Sequence, residues 1–542
     1  MTTLCRIGIL VLQAGEDLSK RLHFRGLHVC ERMRFLPFCS IALLSAIGFC
    51  LLLWITSPGV GVSPDSTTYI AGATNLRAGL GFSQNGSPVT RYPPLYSVFL
   101  AATTFLQSDV LEAARLLNSI CLGLNVGLVA LAVFLAADGN VLATICAGAF
   151  TLTSAPLLVV HSWAWSEPLF ITISLASIIF LSMYAGRPSL PLLIASSVCL
   201  GLLLLTRYAG LAFLAVAVAI VFVAERGAKP GRRFNHSLAS FVVACVPFGM
   251  LLVRNALASS ATSRNFVAHP ISPFQYFRQV ITIAFDFVAP MPFPVGVRPT
   301  VIGLIATFFI VQTAILVQGH LKDVDWRSAG VVVSFCCFLY SASYLIFLFV
   351  SISFFDAGTP IDLRLLSPIL VILTIGMFSF VWTLSRTRQN PAVWSFFLAL
   401  VIISILVKAP DANRSIAAIK QDGLGYTSTQ WRDSQSIAFI KALGQDVSVY
   451  SNGPDVVEFL VGKKYQSIPA KKSSITSQMI PTYKDQVKRM CEDIQQSKAL
   501  LVYFDVLTSR SYLPTLAELE SACHVPVLSR LADGTVLAFG PR

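Results

Sequence analysis

Residues 63–96 of the chain read SPDSTTYIAGATNLRAGLGFSQNGSPVTRYPPLY and separate two long apolar segments. Apolar residues from Tyr69 to Leu80 recur at helical spacing, so residues 66–78 are predicted to form an amphipathic helix on a membrane surface. Asp65 stands at the start of this helix, just after the first apolar segment. A carboxylate held at the edge of a membrane by a surface helix is a candidate functional group.

The composition excludes an ordinary soluble enzyme, because 55% of the residues are hydrophobic, 12% are charged and the mean hydropathy is +0.71. Apolar runs recur along the chain, and each is long enough to cross a hydrocarbon core of about 30 Å. The formal net charge is +13. The basic residues lie mostly in short loops, as the positive-inside rule requires, and this placement argues against a nucleic-acid partner. We therefore expect a mainly α fold, a polytopic transmembrane helical bundle.

The order of the apolar segments gives the predicted domain organisation. Residues 1–35 are a basic leader expected in the cytoplasm, and residues 36–55 are an uncleaved first span. About eleven spans are predicted, at 36–55, 113–136, 141–159, 167–184, 190–206, 211–224, 236–255, 301–318, 330–352, 367–384 and 393–407. The basic loops between them fall on one side of the membrane, which places the loop 57–110 and the C-terminus on the other.

The transmembrane domain is thus expected to cover residues 36–407, with interfacial helices and a candidate catalytic loop at 57–110. Residues 408–542 are less apolar and alternate short strand and helix patterns. They are predicted to form a small extracytoplasmic α/β domain.

Two interpretations of Asp65 are open. A carboxylate at the membrane–water boundary can accept a proton from a hydroxyl and so act as a general base. The same residue can be the N-cap of the surface helix, a position that Asp fills well.

Residues 161–168 read HSWAWSEP and join the end of one predicted span to the start of the next. Glu167 and His161 are candidate catalytic residues, because an ionisable residue at a span end on the side of Asp65 is a functional candidate. A first-turn helix acid is the alternative for Glu167, and interfacial anchoring is the alternative for the tryptophans. The candidates for lining a substrate groove are Tyr69, Tyr92, Tyr96, Trp163 and Trp165.

Arginines on the predicted outer side are candidates for binding an anion, because positive-inside statistics deplete that side of Arg. The guanidinium fork suits a phosphate, whereas lipid headgroups or acidic side chains are the alternative partners. The outer set is Arg91, Arg207, Arg254, Arg264, Arg278, Arg298 and Arg364. The candidates for the phosphate of a donor are Arg91, Arg207, Arg254 and Arg364.

Several short stretches resemble bacterial membrane glycosyltransferases of the GT-C fold, which are relatives of protein O-mannosyltransferases, the lipid A aminoarabinose transferase and the rhizobial lipopolysaccharide core transferases. The first is the outer-loop Asp65 with Tyr69 and PPLY at 93–96. The others are SEPL at 166–169, LTR at 205–207 with Gly210, and DLRLLSP at 362–368. In the tail, GY at 425–426, WRDS at 431–434 and YSNGPD at 450–455 contribute to the resemblance.

The resemblance implies an enzyme of the cell inner membrane that uses a polyprenyl-phosphate sugar donor. It implies inverting transfer to a hydroxyl of a lipid, glycan or protein acceptor at the outer face, with Asp65 as catalytic base and Arg364 near the donor phosphate. Many members have a second acid directly after the first, where this chain has Ser66. A divalent metal is therefore only the less favoured alternative, no other cofactor is expected, and Glu167 or His161 would replace the second acid.

The principal alternative is a polytopic lipid or sugar transporter, or a flippase without transferase activity. Such a protein would place charges or broken helices near the bilayer midplane. This chain instead concentrates its acids and arginines at the predicted outer ends of the spans.

Cys491 and Cys523 are predicted to form a disulfide. They are the two cysteines placed outside the membrane on the non-cytoplasmic side, where the compartment permits such bonds. Two unpaired thiols are the alternative.

Overall fold

The computed structural model describes residues 36–225, 229–258, 271–288, 290, 328–443, 447–462, 465–496 and 499–538. The predicted leader 1–35, the predicted span 301–318, Arg264 and Arg298 lie outside these residues. Within these residues, the first fourteen α-helices are α1 Leu36–Ile55, α2 Pro64–Arg77, α3 Leu95–Thr103, α4 Val110–Ala136, α5 Val141–Leu152, α6 Ala155–His161, α7 Glu167–Gly186, α8 Leu190–Thr206, α9 Leu211–Ala224, α10 Pro230–Ala258, α11 Pro273–Val288, α12 Ala329–Phe354, α13 Leu363–Thr387 and α14 Pro391–Asp422.

Seven helices in the described part of the chain are long and apolar enough to cross a membrane, namely α1, α4, α7, α10, α12, α13 and α14. Helices α5 and α6 would add an eighth span if they count as one, with a bend of 61° between them. Two shorter apolar helices cover Leu190–Thr206, which is α8, and Tyr208–Ala224, which joins the 3-10 turn Tyr208–Gly210 to α9. The protein is thus a polytopic, mainly α membrane protein, as predicted.

The last described span differs from its predicted bounds. The helix that was expected to end at 407 continues as α14 to Asp422, and Gly423 follows at a φ of 71°. Lys408, the predicted first residue of the outer domain, is buried, and its Nζ donates to the carbonyl of Phe150 at 2.9 Å. The Phe150 ring centroid lies 3.5 Å from the same atom, so a carbonyl and an aromatic ring accommodate this cation inside the bundle.

The segment between α1 and α4 is folded rather than a plain linker. Its helix α2 begins with Ser63 as N-cap, whose Oγ accepts the backbone N–H of Ser66, and with Pro64 in the first turn. The N-cap interpretation of Asp65 is therefore wrong, because Ser63 fills that position. After α2, strands β1 Ser83–Gln84 and β2 Ser87–Pro88 form a hairpin, whose turn residues Asn85 and Gly86 have φ of 51° and 74°.

The predicted C-terminal α/β domain is present after α14. Its helices are α15 Thr429–Arg432, α16 Gln435–Ala442, α17 Pro454–Val461, α18 Tyr483–Gln495 and α19 Leu516–Cys523. Its strands are β3 Ser448–Ser451, β4 Gln466–Ser467, β5 Ala499–Phe504, β6 Val527–Leu531 and β7 Gly534–Leu537. The sheet order is β4-β3-β5-β7-β6, with β3 parallel to β4 and β5, and β7 antiparallel to both of its neighbours.

The α/β domain packs directly on helix α2. Helix α17 contacts α2, and Val456 and Val457 of α17 share one buried cluster with Tyr69 of α2. The domain therefore lies against the helix that carries Asp65.

Cys491 and Cys523 are joined by a disulfide, with 4.9 Å between their Cα atoms. The bond links α18 to α19 across a sequence separation of 32 residues. Both cysteines belong to a buried cluster that also contains Leu501 of β5 and Leu537 of β7.

This disulfide predicts that Cys491 and Cys523 resist alkylation in denatured, unreduced protein and react fully after reduction. In the chain-entropy model, reduction lowers the free energy of unfolding of the domain by about 3–4 kcal/mol. Peptide mapping by mass spectrometry checks the pairing, and the free thiols Cys336 and Cys337 are the internal control because they react without reductant. Complete alkylation of Cys491 and Cys523 before reduction would contradict it.

Candidate active site

Arg364, in the first turn of α13, bridges two carboxylates that come from distant parts of the chain. Its Nη2 lies 2.7 Å from Oδ2 of Asp65, and its Nε donates to Oε1 of Glu167. Arg207, which follows α8, binds the same oxygen of Glu167 at 2.5 Å. The guanidinium of Arg364 also lies 4.0 Å from the ring centroid of Trp165. We call Asp65, Glu167, Arg207 and Arg364 the ion-pair cluster.

Helix starts position two members of this cluster. Glu167 lies in the first turn of α7, where the helix dipole favours a negative charge. Arg364 lies in the first turn of α13, where the same dipole disfavours a positive charge. Asp362 offsets part of this cost as the N-cap that accepts the N–H of Leu365, and the two carboxylates supply the rest.

Asp65 is held in its ionised form. Burial raises the pKa of Asp65, but the charge of Arg364, the hydrogen bond from Tyr92 and the charge of Arg207 outweigh it, so the net shift is downward. The hydroxyl of Tyr92 donates to Oδ1 of Asp65 at 2.7 Å. The side chain of Asp65 is still 29% exposed, so a hydroxyl from outside can reach the carboxylate.

Three tyrosines of the segment between α1 and α4 pack together near Asp65. The ring centroid of Tyr69 lies 5.4 Å from that of Tyr92 and 5.2 Å from that of Tyr96. Tyr69 is buried and hydrogen-bonded through its hydroxyl to Ser166 Oγ at 3.1 Å, and burial raises its pKa to about 12. Tyr69 and Tyr96 therefore support the site from within, whereas Tyr92 is partly exposed beside Asp65.

The two tryptophans support Arg364. Trp163 and Trp165 stack with their ring centroids 4.9 Å apart and 6° between their planes. The Nε1 of Trp165 donates to Oγ of Ser63 at 2.7 Å. Since Ser63 is the N-cap of α2, Trp165 connects the Arg364 guanidinium to the start of the helix that carries Asp65.

His161 does not join the ion-pair cluster. Its Nδ1 donates to the carbonyl of Leu157 at 2.7 Å, and its Nε2 accepts from the side-chain amide of Asn125 at 2.9 Å. The ring is buried at the end of α6 next to α4, and both of its nitrogens are hydrogen-bonded within the protein.

Two of the candidate phosphate-binding arginines are engaged differently from the cluster. Arg254 donates to the carbonyls of Phe82 and Val89, and so holds the β1–β2 hairpin against α10. Arg91 is exposed, with its guanidinium carbon 5.5 Å from the ring centroid of Tyr92.

No protein-family model matches the sequence, and no curated protein matches it either. Solved structures do match its fold. ArnT from Cupriavidus metallidurans bound to undecaprenyl phosphate aligns with a TM-score of 0.56 and 14% identity, over 92% of this chain and 99% of that one. Its apo state aligns with a TM-score of 0.57 and 13% identity, over 92% and 98%. The chain has the GT-C fold.

The Saccharomyces cerevisiae protein O-mannosyltransferase Pmt1-Pmt2 complex bound to the sugar donor aligns less fully. Its TM-score is 0.34 at 14% identity, over 44% of this chain and 36% of that one.

Within the described residues, this chain has no group of three His, Cys, Asp or Glu side chains that could hold a metal ion.

Two buried asparagines of α4 were missed in the sequence. The side-chain amide of Asn118 donates to the carbonyls of His161 and Trp163 and accepts the hydroxyl of Tyr96, while Asn125 donates to His161 and to Pro168. They fix the segment that enters α7. Two asparagines seven residues apart lie on one face of a helix, and polar side chains in an apolar span were the available signal.

Glu167→Gln should destabilise the protein strongly. The change leaves Arg207 and Arg364 without the buried charge that they share, and breaking a buried ion pair costs about 3–5 kcal/mol. Glu112→Gln is the matched control, because Glu112 pairs with Arg115 one turn along the same helix and the pair is partly exposed to solvent. Its free energy of unfolding should fall by less than about 1 kcal/mol. Thermal unfolding in detergent measures both variants. Equal stability of Glu167→Gln and Glu112→Gln would show that the buried pair contributes little.

Proposed function

We propose that the protein is a membrane glycosyltransferase that moves a sugar from a polyprenyl-phosphate donor to an acceptor hydroxyl, with Asp65 as general base. The observation that carries the proposal is the ionised and partly exposed carboxylate of Asp65, held by Arg364 where spanning helices begin. The shared fold supports it, because the matching ArnT structure holds undecaprenyl phosphate. The site would face the outside of the cell inner membrane, with the N-terminus in the cytoplasm.

The proposed reaction needs a base for the acceptor and cations for the leaving group. Asp65 takes the proton of the acceptor hydroxyl as its oxygen attacks the anomeric carbon. The bond from that carbon to the phosphate oxygen breaks, and its electron pair stays on the polyprenyl phosphate. Nearby arginines stabilise the negative charge that develops there. Attack from the side opposite the leaving group inverts the anomeric configuration.

The contacts divide the candidate arginines into two roles. Arg254 and Arg207 are occupied by backbone carbonyls and by Glu167, so they position the loop and the cluster. The Nε and Nη2 of Arg364 donate to the carboxylates of Glu167 and Asp65, whereas its Nη1 has no partner among the described residues. Arg364 and the exposed Arg91 are therefore the groups that we assign to the donor phosphate.

A transporter or flippase is the less favoured alternative. Ion relays in such proteins lie near the bilayer midplane. The ion-pair cluster instead uses the first turns of α7 and α13, where a soluble acceptor or a lipid headgroup can approach.

Asp65→Asn should reduce transfer by about 100-fold or more, because it removes the base while keeping the size of the side chain. Turnover of a radiolabelled polyprenyl-phosphate sugar by purified protein measures the effect. Asp109→Asn is the matched control: Asp109 caps α4 from the same outer loop, and Asn caps a helix equally well. Near-normal turnover of Asp65→Asn, with normal folding, would exclude Asp65 as the base.

Tyr92→Phe should move the acidic limb of the kcat/KM pH profile to higher pH. The Tyr92 hydroxyl helps to hold the pKa of Asp65 down, so its loss raises the pKa and the base is protonated at a higher pH. Tyr96→Phe is the control, because the Tyr96 hydroxyl donates to Asn118 and not to Asp65. An acidic limb that stays in place in Tyr92→Phe would argue that Asp65 is not the group that titrates.

A further inference from the structure

The backbone just before α2 is held between two segments from other parts of the chain. The N–H of Gly61 donates to the carbonyl of Ser162 at 2.8 Å, and the N–H of Ala164 donates back to Gly61 at 2.9 Å. On the other side, the N–H of Tyr426 donates to the carbonyl of Val62 at 2.9 Å. Three short stretches, 60–63, 162–164 and 425–427, thus run side by side and in parallel. We call this arrangement the three-segment ladder.

Two segments of the ladder, 60–63 and 162–164, lead directly into the candidate site. Ser63 follows it in one segment and caps the helix of Asp65. Trp165 follows it in another segment and lies against Arg364. The hydrogen bond from Trp165 Nε1 to Ser63 Oγ closes the link between them.

Gly425 is the point at which the α/β domain enters the ladder. Its φ is 57°, and a Cβ at this position would lie 2.1 Å from the carbonyl oxygen of Val62 and 2.5 Å from the ring of Trp163. Neither neighbour can move freely, because the carbonyl belongs to the ladder and the ring is stacked on Trp165. Only glycine fits here without displacing the segments that carry the site.

The same loop is fixed to the core of the α/β domain. The hydroxyl of Tyr426 donates to Oδ2 of Asp455 and accepts from Nη2 of Arg510 at 3.1 Å. Arg510 also binds Asp455 at 2.7 Å and the carbonyl of Asn452 at 2.9 Å. Asn452 in turn bonds both the N–H and the carbonyl of Phe504, the last residue of β5. A continuous set of polar contacts therefore runs from the sheet to Gly425.

We infer that the α/β domain is a positioning element of the active site, and that Gly425 is the positioning residue through which it acts on Ser63 and Trp165. The inference rests on the proposed function for its catalytic consequence. Its structural part is independent of that function, since the ladder exists without substrate.

The test compares Gly425→Ala with Gly462→Ala in the full-length purified protein. Gly462 also lies in the α/β domain at a positive φ, of 78°, but a Cβ there meets nothing within 4 Å. Both variants thus carry similar backbone strain, and only Gly425→Ala pushes on the ladder. The readouts are kcat and KM for a polyprenyl-phosphate sugar donor, together with hydrogen exchange of peptides covering 57–69 and 162–166 in the absence of substrate.

Gly425→Ala should lower kcat by roughly 10–100-fold, with a smaller change in donor KM, because misplacement of reacting groups by about 1 Å has effects of this size. Exchange at 57–69 and 162–166 should become faster. Gly462→Ala should match the wild type in kcat and in exchange of these peptides. Wild-type kcat and wild-type exchange in Gly425→Ala would overturn the inference.

The two readouts separate this inference from the proposed function. If the wild-type protein transfers no sugar, the exchange data alone decide whether the α/β domain holds the ladder. If Gly425→Ala does not fold, Tyr426→Phe removes the contacts to Asp455 and Arg510 without adding an atom, and it should speed exchange at 57–69 to a smaller extent. Faster exchange confined to the α/β domain in Tyr426→Phe would overturn the inference.

Discussion

The guanidinium of Arg364 is the group on which the arrangement of the candidate site depends. It binds Asp65 and Glu167, which precede it in the sequence by 299 and 197 residues. A mostly buried cation in the first turn of a helix is stable only when anions compensate for its lost hydration and for the helix dipole. Two carboxylates do so, and each is thereby fixed relative to the other. The same contact keeps Asp65 ionised, so one ion pair both joins these segments of the chain and prepares the proposed base.

The helices and the residue types of the site could be predicted from the sequence better than the contacts that these residues make with one another. The apolar runs at Leu36–Ile55, Leu190–Thr206 and Leu211–Ala224 were predicted with their bounds, because continuous apolar runs of this length have few other stable forms. Asp65 and Glu167 are predicted as ionisable residues at span ends on one side of the membrane. Arg207 and Arg364 are predicted because the positive-inside rule depletes that side of Arg. The structure brings these four together. Local patterns carry no information on which distant helix starts meet, so the bridging role of Arg364 could not be predicted.

The differences from prediction have local physical reasons. Ser63 and Asp65 both suit an N-cap, and Pro64 in the first helical turn was the signal that favours Ser63. The last span is predicted to end before Lys408 because a lysine is rarely buried. The carbonyl and the ring of Phe150 nevertheless accommodate this lysine inside the bundle. Helix α11, Pro273–Val288, was missed since it lies between two predicted spans and is shorter than a span. His161 is predicted as a catalytic candidate because it is ionisable and lies at a span end on the side of Asp65, but its ring bonds to Leu157 and to Asn125 of α4.

The fold is shared with ArnT at 13–14% identity, so few side chains are common to both proteins. Function must therefore be decided at the site itself. The most direct test is the reaction of purified protein with a polyprenyl-phosphate sugar of known anomeric configuration and a panel of lipid, glycan and peptide hydroxyl acceptors, with the product linkage read by NMR. A single displacement assisted by Asp65 predicts transfer with inversion at the anomeric carbon. Transfer with retention would contradict the single displacement assisted by Asp65, and the absence of transfer to every class of acceptor would contradict the proposed function.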